Sequence, residues 1–212
     1  SKEYRVIIPM LPIYDMPVKK ASVEGLVEFV EGFVAKLKLS DVTILGNSLG
    51  GHLGLLYTLK NSSKVKRLVL TGSSGLFENS MGGSYPKRGD RQYIEERVRY
   101  TFYDPETATP ELIDEVFQIT NNIRKGLNIV SIAKSAQRQN LANEIGVIQQ
   151  PVLLVWGLND AITPPSVGHE FNRLLPNSEL KFIDKCGHAP MMEQPEKFNE
   201  YLDEFLKVTV PV

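Results

Sequence analysis

Three residues far apart in the chain, Ser48, Asp160 and His188, are of the types that together turn a hydroxyl into a nucleophile. A serine alone is a poor nucleophile; it needs a base to take its proton and a third group to orient that base. Each of the three sits in a local pattern suited to such work. Ser48 lies in "LGNSLGGH", a G-x-S-x-G between the apolar run "DVTIL" and the segment "LGLLYTL". A strand that reverses this sharply into a helix strains the serine backbone and needs small flanking residues, leaving the side chain proud of the sheet. The next N–H, that of Leu49, then heads a helix, where unpaired N–H groups and the helix dipole favour a developing oxyanion. The bland alternatives are a glycine turn or a phosphate loop. A P-loop needs G-x-x-x-x-G-K-[ST], and no Lys occupies that place; a dinucleotide fingerprint needs G-x-G-x-x-G.

These residues need elements to hold them. Short β-branched runs alternate with longer stretches of helical period, the pattern of a parallel sheet with crossover helices. The expected strands are Tyr4–Ile8, Val42–Leu45, Val65–Thr71, Val152–Trp156 and Leu180–Ile183. Val23, Leu26, Val27, Val30, Val34 and Leu37 recur at three- and four-residue steps, one apolar face of a helix. Leu49 to Leu59 and Val167 to Leu175 read as further helices, and Pro195 opens a last one. Asp160 falls just beyond the carboxyl end of the strand in "PVLLVWGLNDAITPP", where sites of open parallel sheets collect, and His188 stands likewise after the last strand in "LKFIDKCGHAPMMEQPEKF". From about Gly75 to Gly146 the pattern is interrupted. A glycine-rich stretch, "SSGLFENSMGGSYPKRGD", leads to helical segments around Gln92–Phe102, Pro110–Thr120 and Gly126–Leu141 with no strand signal. An insertion of this composition is expected to pack as a cap over the sheet's edge.

Composition narrows the function classes. A chain of 212 residues can bury a sizeable core without disulfide or metal. One cysteine, Cys186, forms no internal bridge, and three scattered histidines show no zinc spacing, so neither metal nor cofactor is expected. Twenty-four basic against 25 acidic residues, with no long run of either sign, offer no footprint for nucleic acid or an anionic membrane. No apolar stretch approaches the roughly 18 residues that span a bilayer, and "SKEYRVIIPM" lacks the pattern of a signal peptide. These features predict a cytoplasmic protein with a small-molecule substrate, and set no oligomeric state.

With "GNSLGG", "WGLNDAITP" and "CGHAPMMEQPEKFN" in this order, the sequence resembles the α/β-hydrolase superfamily over nearly its whole length, including the chain order Ser, acid, His. The resemblance implies an α/β fold, a mostly parallel sheet flanked by helices, with residues 1–74 and 147–212 as the core and 75–146 as a helical cap. It implies Ser48 as nucleophile, His188 as general base then acid, Asp160 as the group holding the imidazole tautomer, and the Leu49 N–H as an oxyanion donor. Asn47 and "GNSLGG…KCGH" resemble the carbon–carbon bond hydrolases of meta-cleavage products, as well as related esterases. Those carbon–carbon hydrolases usually carry Trp after the catalytic histidine, where Ala189 and Pro190 stand here. Serine rather than aspartate at the elbow argues against dehalogenase or epoxide hydrolase. The resemblance also places "YRVIIPMLP" at the family's fourth strand, which implies that about three strands and the loop giving the second oxyanion donor are missing upstream. On that reading this exact chain is weak or inactive, since losing one donor typically costs about 2.7–4 kcal/mol.

Other residues invite weaker readings. His52, one turn after Ser48, is expected to be buried and hydrogen-bonded rather than catalytic. His169 has a helix-surface setting. Cys186 has no basic cluster or Cys-x-x-Cys around it and suits buried packing. Asp184 rivals Asp160 as the orienting acid but sits in the histidine's own loop. Arg138 could hold a substrate carboxylate through its planar fork, or pair with Glu144. Met191 and Met192 suit an acyl pocket, and Tyr93, Tyr100, Phe102 and Tyr103 either the cap's underside or its packing. The first expectation is thus a serine hydrolase cleaving a small ester or related carbonyl compound through an acyl-enzyme. The alternatives are a carbon–carbon bond hydrolase of meta-cleavage-product type, and a non-catalytic binding protein on the same scaffold.

Overall fold

The β-branched runs pair with one another in the order in which they occur. In the computed structural model, which describes residues 3–79 and 89–208, β1 (Val42–Asn47), β2 (Val65–Thr71), β3 (Val152–Gly157) and β4 (Ser178–Ile183) form a parallel sheet of order β1-β2-β3-β4. Parallel neighbours need crossover connections, and helices supply them: α1 (Val23–Lys36) precedes β1, α2 (Leu49–Lys60) joins β1 to β2, and α6 (Pro165–Leu174) joins β3 to β4. Between β2 and β3 come α3 (Arg91–Tyr100), α4 (Pro110–Asn121) and α5 (Ile123–Arg138). After β4, a short α7 (Pro190–Glu193) leads into α8 (Pro195–Lys207). No helix among the described residues is long and apolar enough to cross a membrane.

The two-residue period of the strands divides the core. Leu68, Leu70, Leu154 and Trp156 pack with Leu55 of α2 and with Val167 and Phe171 of α6 on one face. Val69, Leu153 and Val155, one step out of phase, pack with Phe198 and Phe205 of α8 on the other. The wholly buried rings of Trp156 and Phe171 lie 5.7 Å apart, and each large apolar side chain buried in this way contributes roughly 1.5–3 kcal/mol. β3 is buried at all six positions, which explains why "VLLVWG" reads as a continuous apolar run rather than an alternation.

The helical insertion divides in its packing. α3 and α4 join through Ile94, Val98, Phe102 and Ile113, in a cluster that also takes in Ala189 from the histidine loop. α5 instead lies along the α1 side. Asn128 Nδ2 donates to Met16 O at 2.9 Å, Ser131 Oγ to Ala21 O at 2.7 Å, and Val23 N to Ser135 Oγ at 3.1 Å. α5 begins at Ile123 and ends at Arg138, where the sequence suggested Gly126 to Leu141. The Asn122 side chain accepts from Lys125 N and caps the first turn, so Gly126 sits inside the helix instead of marking its edge. Residues 80–88 of the glycine-rich stretch lie outside the described residues.

One expected strand does not form. Tyr4–Ile8 carries strand-like side chains but joins no sheet among the described residues, and Val6, Ile8 and Met10 are exposed. β-propensity reports how a side chain fits a pleated, half-buried surface, and without a partner ladder and a covering face it specifies nothing. The outer edge of β1 is accordingly unpaired among the described residues, with Leu45 exposed.

Candidate active site

Because all four strands run the same way, their carboxyl ends meet along one rim. The register pairs Asn47 with Thr71, Thr71 with Val155, and Gly157 with Ile183. The residues that follow each strand, Ser48, Gly72, Leu158–Asp160 and Asp184–His188, are therefore delivered to a common edge.

Ser48 caps α2 with φ 52° and ψ −117°, a left-handed backbone at a non-glycine residue. Holding such a conformation costs on the order of 1–3 kcal/mol and persists only where the surroundings enforce it. They do so here. Ser48 N donates to Thr71 O at 3.0 Å, while Ser48 O accepts from Gly51 N at 3.0 Å, His52 N at 3.2 Å and Ser74 N at 3.1 Å. The N–H of Leu49 heads α2 and has no acceptor among the described residues. A Cβ on Gly46 would stand 2.3 Å from the Gly50 carbonyl carbon, and one on Gly51 would stand 2.3 Å from Ser73 Oγ. Gly50 itself meets nothing within 4 Å, so the crowding expected on both sides of the serine falls on Gly46 and Gly51 instead.

Asp160 and His188 form a buried pair. His188 Nδ1 lies 2.9 Å from Asp160 Oδ2 and 3.1 Å from Oδ1, with side chains 7% and 0% exposed. The carboxylate is otherwise saturated by its own turn, Oδ1 accepting from Ile162 N and Thr163 N at 2.9 Å each and Oδ2 from Thr163 Oγ1 at 2.8 Å. An acceptor-only group facing Nδ1 makes that nitrogen the donor and leaves the lone pair on Nε2. Thr163 was not singled out by sequence reasoning; the Asx turn in which Asp160 Oδ1 accepts from Ile162 N, two residues on, is what brings the Thr163 hydroxyl to the carboxylate.

The backbone of His188 is fixed from three sides. Its N–H donates to Thr101 O at the end of α3 at 2.9 Å, and its carbonyl accepts from Asn47 Nδ2 at 2.9 Å, which ties it to the residue before Ser48. Glu193 of α7 accepts from Gly187 N at 2.9 Å and Tyr103 N at 2.7 Å. Gly72 supplies the floor: at φ +45°, a Cβ there would come within 2.9 Å of His188 Nδ1 and 3.1 Å of Asp160 Oδ2. Neither Glu193 nor Gly72 carries a sequence pattern that announces this contact. No hydrogen bond joins His188 to Ser48 Oγ among the described residues. Such bonds are commonly long before substrate binds.

Beside Ser48 opens a cavity of about 170 Å³, lined by Leu49 and Ser74, by Ile132 and Ala136 of α5, and by Glu78. The remaining candidates fall elsewhere. Arg138 is exposed at the end of α5 and Met191 packs between the α3–α4 cluster and the α8 face; neither lines this cavity. Met192 and Asp184 are exposed, and His169 is an exposed ring 5.0 Å from that of Phe182. Tyr93 and Phe102 pack within the α3–α4 cluster, while Tyr100 and Tyr103 are exposed. Cys186 is buried, and desolvation, with Glu193 and Asp160 nearby, pushes its thiol up to about 12, so it stays protonated and unreactive. His52 differs from expectation. It is buried completely, but neither ring nitrogen finds a partner among the described residues, and burial lowers its pKa to about 4. The ring lies beside Gly75 and Leu141, and the backbone donor there is already used, Leu141 N donating to Gly75 O at 2.8 Å. No group of three or more His, Cys, Asp or Glu among the described residues could hold a metal ion.

Comparison with known proteins bears on the fold and the family. A model of the alpha/beta hydrolase family matches residues 13–201. The chain is 26% identical over 193 residues to the 2-hydroxy-6-oxononadienedioate/2-hydroxy-6-oxononatrienedioate hydrolase of Cupriavidus pinatubonensis, covering 84% of this chain and 66% of that protein. It therefore spans about two thirds of the length of this curated relative. Among solved structures, an alpha/beta hydrolase enzyme from the metagenome of Mar Chica lagoon sediments is 38% identical with a TM-score of 0.75, over 94% of this chain and 76% of that one. An esterase from Exiguobacterium antarcticum, at 22% identity, shares the fold with a TM-score of 0.76 over 92% and 77% of the two chains. With a family model matched over most of its length, a sheet rim that gathers Ser48, Asp160 and His188, and a relative at 38% identity, the chain belongs to the alpha/beta hydrolase family.

Proposed function

We propose that this chain carries the centre of a serine hydrolase acting on a small ester or related carbonyl compound. The observation that carries the reading is the buried Asp160–His188 pair, 2.9 Å apart, on the same rim as a serine held at φ 52°. In the proposed reaction Ser48 Oγ attacks the carbonyl carbon while His188 Nε2 takes its proton. The tetrahedral oxyanion is met by the Leu49 N–H at the head of α2, and Asp160 steadies the imidazolium through Nδ1–H. Collapse expels the leaving group, which receives its proton from His188, and leaves Ser48 acylated. Water, deprotonated by the same nitrogen, then attacks the acyl carbon and restores the serine. The helices of 75–146 act as the cap, with α5 walling the cavity beside Ser48. A fluorophosphonate probe is expected to label the wild-type chain, at a rate roughly 10²–10³ below that of a site with both oxyanion donors, and Ser48→Ala to abolish labelling. Label that persists after the substitution refutes the role of Ser48.

A second reading is favoured by a specific finding, the relatives that share up to 28% identity and are named as hydrolases of a hydroxy-oxo-dienedioate. In it the same serine and histidine serve cleavage of a carbon–carbon bond adjacent to a ketone. Assaying short p-nitrophenyl esters against a vinylogous dienone acid separates the two. Turnover of the esters alone rejects the carbon–carbon reading, and turnover of the dienone acid alone rejects the ester reading.

A further inference from the structure

Among the described residues, Glu78 is the one ionisable side chain that lines the cavity beside Ser48; the rest of that lining is apolar apart from the hydroxyls of Ser48 and Ser74. It is partly buried, yet makes no hydrogen bond or ion pair among the described residues. Burial raises its pKa, and an imidazolium at His188 opposes that rise. A carboxylate withdrawn from water without a partner is a costly arrangement. Asp160, a fully buried carboxylate of the rim, shows the contrast, since donors saturate both of its oxygens. What Glu78 lacks inside the protein, a bound molecule can supply: a positive charge or a hydrogen-bond donor. Conversely, a carboxylate entering this small apolar cavity meets a like charge at short range, where the medium screens poorly.

We infer that Glu78 sets the charge selectivity of the cavity, admitting substrates whose bound group is cationic or donor-bearing and rejecting those that place a carboxylate there. The inference rests on the serine-hydrolase reading of Ser48 and narrows it. It also separates this chain from relatives named for hydrolysing a dioate, a substrate with two carboxylates.

The test uses the full chain and three p-nitrophenyl esters of matched acyl length: hexanoate, the adipate monoester, and 5-(trimethylammonio)pentanoate, each corrected for spontaneous hydrolysis. In the wild type kcat/KM is expected to fall in the order cationic, neutral, anionic, with the anionic ester roughly tenfold or more below the neutral one. In Glu78→Gln the three values converge. A second measurement needs no variant: in the wild type, pentylammonium protects Ser48 from a neutral fluorophosphonate at lower concentration than pentanol does, and pentanoate protects least. If the wild type labels and turns over esters but treats the anionic and neutral acyl groups alike, or if Glu78→Gln keeps the wild-type order, the role of Glu78 is refuted while Ser48 stands. If the wild type neither labels nor turns over at probe concentrations and times that reveal a rate roughly 10²–10³ lower, the cost of one absent oxyanion donor, the serine-hydrolase reading fails and the inference falls with it.

Discussion

His52 offers a prediction whose size follows from its surroundings. The ring is wholly buried on α2, one turn beyond Ser48, with no partner at either nitrogen among the described residues. Burial disfavours the imidazolium, and the weaker attraction of Glu24 does not compensate, so the folded pKa is about 4 against 6.5 for a free histidine. Between those two values the unfolded chain binds a proton that the folded chain does not, so stability rises with pH across this window and is lost as pH falls from about 6.5 to about 4. A shift of this size removes about 2–3 kcal/mol on going from pH 7 to pH 4.5. That is a large share of the 5–15 kcal/mol typical of a domain. Other carboxylates also titrate in this range, so the quantity to measure is a difference between two chains. His52→Leu removes the titrating ring and replaces two unpaired buried nitrogens with an apolar side chain. Urea unfolding followed by the fluorescence of Trp156, the sole tryptophan and fully buried, gives stability at each pH. The variant is expected to be at least as stable as the wild type at pH 7, and to lose about 2–3 kcal/mol less on acidification to pH 4.5. Parallel acid limbs in the two chains, or an NMR titration of His52 near 6.5, would refute the reasoning.

Two further substitutions probe the rim. Gly72→Ala places a methyl 2.9 Å from His188 Nδ1 on a backbone of φ +45°. The strain and the displaced imidazole are expected to slow fluorophosphonate labelling of Ser48 by on the order of tenfold or more, with the fold retained by circular dichroism; labelling at the wild-type rate contradicts the contact. Thr163→Val keeps shape but deletes the 2.8 Å hydrogen bond to Asp160 Oδ2. A loss of about 1.5–3 kcal/mol in urea unfolding is expected, as for a hydrogen bond to a charged group, and Thr163→Ser should restore most of it.

Much of the molecule can be read from residue order. The four strands that form are those whose β-branched runs find a parallel neighbour, β2 and β3 on both sides and β1 and β4 on one, and the elbow is legible because a serine among glycines between strand and helix has few other uses. Asp160 and His188 are legible for the same reason: each follows a strand, and parallel strands end on one rim. Local patterns specify local conformation, and a parallel topology turns that into proximity. The misreadings share a different cause. Tyr4–Ile8 has the side chains of a strand, but pairing is a property of two segments, and no strand forms a ladder with it among the described residues. His52 was expected to find a hydrogen bond because buried polar groups usually do, and whether a donor lies across from it depends on which helices meet there. Gly72, Glu193 and Glu78 are silent as letters. A glycine acquires its role from the imidazole 2.9 Å above where its Cβ would be, and a glutamate from the loop or cavity it faces. Chemistry and local turns were written in the sequence; the contacts that hold the histidine, strand His52 and leave one carboxylate in the cavity arise between segments distant in the chain, and only packing decided them.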